Sequence, residues 1–264
     1  MATRRRIMDN RVYAWKPDVP DHRDRYFAPQ AIELPPFVDR IGLGNRMENQ
    51  LQIGSCTGNS ATSALEIVLG IQKDKQLSRL MCYYNARLLE DPEWTKVDQG
   101  AYIRFAIKSL FKFGVCDEKT WPYLQRKVNT SPGKTAYKRG EEFLPLYATD
   151  FEYARVTSRL EVMQCIAQNI PVVFGFMVTE AFERLSKTGV LELPQQGEDY
   201  LGGHAVAAVG YDTRPERPFI WVRNSWGSRW GDKGYFRMSI DWFDDPRRLV
   251  DDMWVIRRTT PVTL

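Results

Sequence analysis

Gly202-Gly203-His204-Ala205-Val206-Ala207-Ala208-Val209-Gly210-Tyr211 is the stretch on which the reading of this chain turns. Five small or apolar residues follow the histidine, as in a buried central strand, so an imidazole stands at its leading edge. A lone histidine at a strand edge is more often a satisfied structural group than a catalyst. Two other stretches shift that balance. Downstream lies Asn224-Ser225-Trp226-Gly227, and far upstream lies Asn49-Gln50-Leu51-Gln52-Ile53-Gly54-Ser55-Cys56. A thiol, an imidazole and a side-chain amide, with a glutamine six positions before the thiol, are the parts of a cysteine nucleophile and its oxyanion hole. Only the fold can bring residues so far apart together.

The 264 residues can bury a real core, as one large domain or two modest ones. Composition is that of an ordinary soluble globular protein. No apolar run approaches the ~20 residues of a membrane helix, so no membrane partner is expected. The net charge of +4, from 37 basic and 33 acidic residues, is too small to argue for nucleic acid. Arg4-Arg5-Arg6, the densest basic cluster, reads as a solvated chain end. No apolar stretch follows it, as a secretory or twin-arginine signal would need, and the default expectation is cytoplasmic. The cysteines Cys56, Cys82, Cys116 and Cys165 are widely spaced without a paired framework, and few or no disulfides are expected.

Residues 1–31 read as an N-terminal extension. Lys16-Pro17-Asp18-Val19-Pro20-Asp21-His22-Arg23-Asp24-Arg25 is charged and proline-broken, with no helical or alternating period. A strap packed along the surface is the plain expectation. The sharper one, from position alone, is that it crosses a cleft and hinders substrate. From Cys56 to Leu69, Ala61, Ala64, Leu65 and Val68 follow the spacing of a buried helix, with Gly70 as its stop. Further helices are expected at about Arg79–Leu89 and Ala101–Phe113. The polar passage from Gln125 to Glu142 reads as a connection. Short β-rich runs follow at Pro171–Val178, Ala205–Tyr211, Phe219–Asn224, Gly234–Ser239 and Met253–Arg257. Helices first and strands second is an α+β pattern.

Each candidate residue has a chemical reason. A thiol at a helix N-terminus, as expected for Cys56, feels the positive end of the macrodipole and unpaired N–H groups, both favouring the thiolate. An imidazolium nearby favours it more strongly, and His204 can supply one. Cys82 and Cys165 lie among helical apolar residues and read as core thiols, whereas Cys116 suits either core or surface. His22 has no comparable context. Its distance in sequence from His204 rules out a His-x-x-x-His zinc helix, and no metal site is expected.

These stretches, together with Trp230-Gly231-x-x-Gly234-Tyr235-Phe236, resemble the papain/cathepsin family of cysteine peptidases. The likeness covers roughly residues 34–258 and is dense at Cys56, His204 and Asn224. It implies a papain-like two-lobed fold with the active-site cleft between a helical N-terminal lobe and a β-barrel-like C-terminal lobe. The peptidase domain would span 32–264, with its helical lobe at about 45–130 and its β-rich lobe at about 140–258. It implies hydrolysis of peptide bonds through a Cys56 thioester, with His204 as acid and base. Asn224 would accept from the second ring nitrogen and fix the tautomer, and Trp226 would cover that bond and form the leaving-group side of the cleft. The Gln50 amide and the Cys56 N–H would hold the oxyanion, donors that typically matter by ~100-fold or more. Gly100, Ala101, Tyr102 and Gly203 would line the path of the substrate backbone. Expected partners are a peptide or protein substrate and, intramolecularly, residues 1–31 as inhibitor. A monomer with no metal or organic cofactor is expected. Two rival readings stand beside this one: a catalytically silent papain-like binding scaffold, and an acyl-transferring transpeptidase or transamidase.

The chain departs from the family pattern at several positions. Thr57 replaces an aromatic residue, and Ile53 stands where secreted members carry a disulfide cysteine. Gly203 replaces an acidic or polar residue, and Ala101 replaces a second glycine, so its Cβ is expected to reshape a subsite. These departures resemble a divergent branch akin to bacterial papain-like enzymes such as xylellain.

Overall fold

Eleven of the fourteen residues of helix α1 (Cys56–Leu69) are buried, so this helix is a core element with little exposed face. The computed structural model describes residues 11–28, 32–40, 42, 46–185, 187–214, 216 and 218–259. The Arg4-Arg5-Arg6 cluster therefore lies outside the described residues. Gly70 ends α1 in the left-handed conformation at φ 63° and returns its N–H to the last turn. Gly58 lets the next helix approach, because a Cβ there would come within 2.8 Å of Tyr83 Cβ. That neighbour is α2 (Arg79–Glu90), capped by Ser78 Oγ accepting from Met81 N. Helix α3 (Ile103–Phe113) completes the layer, burying Ile103, Ala106, Ile107 and Leu110.

Where a connection was expected between Gln125 and Glu142, the chain forms a short 3-10 turn and then helix α4 (Lys134–Phe143), followed by the single turn α5 (Pro145–Ala148). Ala136 and Gly140 are the buried residues of α4. Spaced four apart, they give a narrow inward stripe on an otherwise polar helix. Further on, α6 (Arg159–Ala167) is capped by Ser158, which accepts from Glu161 N, and α7 (Glu180–Glu183) is one turn.

Among the described residues eight strands make one sheet: β1 (Phe37–Val38), β2 (Phe151–Val156), β3 (Val172–Thr179), β4 (Val190–Leu191), β5 (Tyr200–Asp212), β6 (Phe219–Arg223), β7 (Tyr235–Ser239) and β8 (Val250–Arg258). Their order is β2-β8-β3-β5-β6-β7-β4, with β1 beside β5, and the end strands β2 and β4 do not pair with each other. Long β5 is central, antiparallel to both β3 and β6. Alternation divides its surroundings into two cores. Phe174, Phe176, Val206 and Ala208 pack with Val162 and Ile166 of α6. Val173, Ala205, Trp254 and Ile256 pack against Leu65, Leu80 and Ile107 of the helical half. The helical half thus docks on the sheet where β5 begins.

Residues 11–28 hold to the sheet at two places. Ala14 bridges Gly203 in parallel, with Trp15 N donating to Gly203 O at 3.0 Å. Tyr26 bridges Arg155, with Phe27 N donating to Arg155 O and Arg155 N to Arg25 O, both at 2.7 Å, and Phe27 is buried in the first core. Between these anchors lies a buried ion network. Arg155 contacts Asp18 at 3.1 Å, Asp24 at 3.2 Å and Asp252 at 3.2 Å, and Arg104 of α3 contacts Asp24 at 2.6 Å. Asp18 also accepts from Trp254 Nε1 at 2.9 Å. Burial raises the Asp18 and Asp252 carboxyls, Asp252 to about 7.

All four cysteines are free thiols and all are buried, Cys116 among them. No helix among the described residues is long and apolar enough to cross a membrane, and they hold no group of three or more metal-ligating side chains.

Candidate active site

Cys56 opens α1, and Ser55, its N-cap, gives no side-chain cap to the first turn. Ser55 Oγ is instead within 2.5 Å of Tyr123 Oη and accepts from Asn59 Nδ2. The first-turn N–H groups therefore remain available. Those of Cys56 and Thr57, with that of Ala205 on β5, favour the thiolate, but complete burial outweighs them and pushes the thiol up to about 11. His204 is also fully buried. Desolvation lowers its imidazole to about 4, against an opposing contribution from Asn224. Loss of water thus works against the charged form of both groups and opposes the thiolate–imidazolium pair expected from the sequence.

His204 Nε2 lies 2.8 Å from Asn224 Oδ1, and the same oxygen accepts from Ser225 N at 2.8 Å. Nδ1 has no hydrogen-bond partner among the described residues. The Trp226 indole stacks on the imidazole with ring centres 5.0 Å apart and 28° between planes. Phe176 and Phe182 close other sides at 5.9 and 6.3 Å. An aromatic cage of this kind keeps water from competing for the Nε2–Oδ1 bond.

Gln50 is buried, and its amide is oriented from both ends. Oε1 accepts from Ser225 Oγ at 2.6 Å, and Nε2 donates to Ile53 O at 3.0 Å. One N–H of the amide is left for another acceptor. Its backbone is also held, Gln50 N donating to Ser225 O at 2.8 Å and Gln50 O accepting from Tyr123 Oη at 2.9 Å. Ser225 and Tyr123 were not singled out in the sequence, although Ser225 sits inside the Asn-Ser-Trp-Gly stretch.

The other sequence candidates line the course of residues 11–15. Gly100 has φ 88°, and a Cβ there would fall 2.0 Å from Ala14 O. Ala101, where an intruding Cβ was expected, is instead a core residue at 3% exposure, and the close backbone approach is at Gly100. Tyr102 precedes α3 and packs on Trp94 and Phe105. At Gly203 a Cβ would stand 2.2 Å from Trp15 O, and at Gly175 1.9 Å from Trp15 Cε2. Glycine at 203, a departure from the family pattern, is what admits the Trp15 backbone here. Arg11 lies 3.9 Å over the Trp226 ring, and Tyr13 Oη donates to Glu183 Oε1 at 2.6 Å.

The Papain family cysteine protease model matches residues 39–244. An uncharacterized peptidase C1-like protein, L477 of Acanthamoeba polyphaga mimivirus, is 37% identical over 243 residues, 87% of this chain and 73% of that protein. The crystal structure of xylellain, a cysteine protease from Xylella fastidiosa, is similar at TM-score 0.82 and 32% identity, covering 96% of this chain and 98% of that one. Digestive procathepsin L 3 of Tenebrio molitor larval midgut shares the fold at TM-score 0.69 and 18% identity, over 95% of this chain and 76% of that one. The α+β architecture with helical and β-rich lobes is thus papain-like. By sequence match and by fold alike, the chain belongs to the papain family of cysteine proteases and is a cysteine-type peptidase.

Proposed function

We propose that this chain cleaves peptide bonds through a thioester on Cys56, and that residues 11–28 hold it in a latent state. One observation carries the chemistry. Cys56 opens α1 in the same core as Ala205, the residue after His204, and His204 has Nε2 committed to Asn224 and Nδ1 without a hydrogen-bond partner among the described residues. Asn224 Oδ1 keeps the ring proton on Nε2, so Nδ1 is the basic nitrogen. Nδ1 takes the thiol proton, Sγ adds to the peptide carbonyl, and the oxyanion is met by the Cys56 N–H and the spare Gln50 N–H. The C–N bond breaks as Nδ1–H protonates the leaving amine. Water then attacks the thioester with Nδ1 as base, and the free thiol returns.

The latency rests on Trp15 and Gly203. Trp15 is buried, its backbone lies on Gly203, and its ring fills the space that glycine leaves at 175. Water excluded by this cover is the desolvation that raises the Cys56 thiol and lowers the His204 imidazole. The polarity of the segment prevents its own cleavage. Its N-terminal end lies at Trp226, on the family's leaving-group side, and it runs from there to Trp15. A substrate would run the other way, with its acyl part entering first. Procathepsin L 3, by its name a proenzyme, shares the fold, which supports the latent reading.

The test is a peptide mixture incubated with the full chain, with a Trp15→Ala variant and with a Cys56→Ser control, read by mass spectrometry. Hydrolysed products and an acyl adduct on Cys56 that vanish in the control are expected, with more product from the Trp15 variant. Absence of products from both active-thiol forms would overturn the reading. Transfer of the acyl group to added amine in place of water would redirect it to the transferase class. Deletion of residues 1–31 with unchanged turnover and labelling would remove the latency alone.

A further inference from the structure

Beside the Gln50 and Asn224 segments stand two buried charges that take no part in the proposed chemistry. Glu48 lies two residues before Gln50, and Arg223 lies immediately before Asn224. Arg223 Nη2 donates to both Glu48 oxygens, at 3.2 and 3.0 Å, and the two side chains are 1% and 2% exposed. The guanidinium is held further by Tyr235 Oη at 2.8 Å and Arg46 O at 2.7 Å. Main-chain bonds clip the same two segments together: Gly227 N to Glu48 O at 2.7 Å and Gln50 N to Ser225 O at 2.8 Å.

Stability does not explain this pair. Taking two charges out of water costs several kcal/mol per ion, and apolar replacements of similar volume are often neutral or stabilising. A pair bonded to both carboxylate oxygens does fix a distance and a direction. That matters here because only the oxygen end of the Asn224 amide is fixed by the main chain, Oδ1 accepting from Ser225 N at 2.8 Å. Its Nδ2 is buried without a partner among the described residues, beside a chamber of about 10 Å³ that Asn224 lines with Glu48 and Arg223. The placing of Asn224 therefore depends also on its main chain, whose N–H donates to Gly234 O at 3.0 Å and which Arg223 immediately precedes.

We infer that Glu48 and Arg223 are positioning residues that set the separation of the Gln50 and Asn224 segments, so that oxyanion donor and imidazole holder are in place together. The inference rests on the roles proposed above for those two residues. Neither charge touches substrate.

The test uses the full chain in three forms: native, Glu48→Gln, and the double variant Glu48→Leu with Arg223→Met. The chain has only two histidines, so nitrogen-15 imidazole NMR, with His22→Gln for assignment, reads the His204 Nε2 proton directly. The double variant is expected to keep its melting temperature while that proton exchanges with solvent at least ~10-fold faster. Its kcat should fall by ~10- to 100-fold at unchanged KM, as misplacement of catalytic groups does. Glu48→Gln should fall between it and the native chain. A double variant with native melting, native Nε2 proton and native kcat overturns the inference. Should the double variant fail to fold, an unchanged Nε2 proton in the isosteric Glu48→Gln overturns it equally. Because the imidazole signal needs no turnover, a chain that cleaves nothing in either its native or its Trp15→Ala form would sink the peptidase reading and leave this test standing.

Discussion

Truncating Trp15 to alanine should expose Cys56 to small electrophiles. The indole is 4% exposed and occupies space that a Cβ at Gly175 or Gly203 would contest, at 1.9 and 2.6 Å from ring atoms. Removing a buried tryptophan side chain costs about 3–5 kcal/mol. The loss falls on the covered state, because the ring is solvated once the segment lifts. Taking the lower figure, about 3 kcal/mol at 1.4 kcal/mol per decade, the opening equilibrium rises by roughly two powers of ten. When opening and reclosing are fast relative to chemistry, labelling follows that equilibrium. The assay is iodoacetamide labelling at neutral pH, read as intact mass with site mapping, and the buried Cys82, Cys116 and Cys165 serve as internal references. Gly203→Ala attacks the same contact from the opposite wall, since its Cβ would stand 2.2 Å from Trp15 O, and should also accelerate labelling. If both variants label Cys56 no faster than the native chain while melting normally, the cover does not control access and the reasoning fails.

Other consequences follow from the site and its surroundings. Gln50→Ala should lower kcat by ~100-fold with little change in KM, since its amide meets the oxyanion only as charge develops; a loss confined to KM would refute that role. Asn224→Ala frees His204 Nε2 and should lower kcat by at least ~10-fold, with the Nε2 proton lost from the imidazole spectrum. Stability should fall as pH rises above about 5. Burial raises Glu66 to about 8 and Asp252 to about 7, above their unfolded values, so their contribution is complete below those unfolded values and lost as pH rises through 7 and 8. His204 is lowered to about 4, so its contribution is present above its unfolded value near ~6.5 and lost as pH falls through 4. Two carboxyls outweigh one imidazole, so calorimetry should find the melting temperature falling between about pH 5 and 8, and Glu66→Gln should make that fall shallower. A melting temperature climbing steadily to alkaline pH would contradict both assignments.

Helix α1 was legible because its buried spacing runs unbroken from the motif cysteine to a glycine that takes φ 63°. The His204 strand was legible because a buried run of small residues has few other uses. Helix α4 was not, since its inward stripe is only two residues and one is a glycine. Helix α6 carried a readable signal that was missed. Ser158 and Glu161 form a capping box, with Glu161 Oε2 accepting in turn from Thr157 N at 2.7 Å. Within the candidate site, Cys56, His204, Asn224 and Gln50 were chosen from motif wording, and Glu48 and Arg223 were overlooked because one charge in a polar stretch ordinarily reads as surface. A strap was expected from position alone, but the contacts that route residues 11–28 could not be read. The route is set by glycines at 100, 175 and 203 and by carboxylates and guanidinium groups on α3, β2 and β8, a partnership that no local pattern announces. Desolvation along that route opposes what the helix terminus alone would favour, raising the Cys56 thiol and lowering the His204 imidazole.

The second attachment, where Tyr26 and Phe27 lie along Arg155, would govern how the proposed latency ends. Lifting Trp15 off Gly203 does not release the chain into bulk solution. The segment stays tethered at Tyr26, eleven residues on, at an effective concentration that short linkers place near ~mM. Reclosure is then first order and indifferent to dilution, and a substrate must compete with a neighbour that never diffuses off until the tether is cut or displaced.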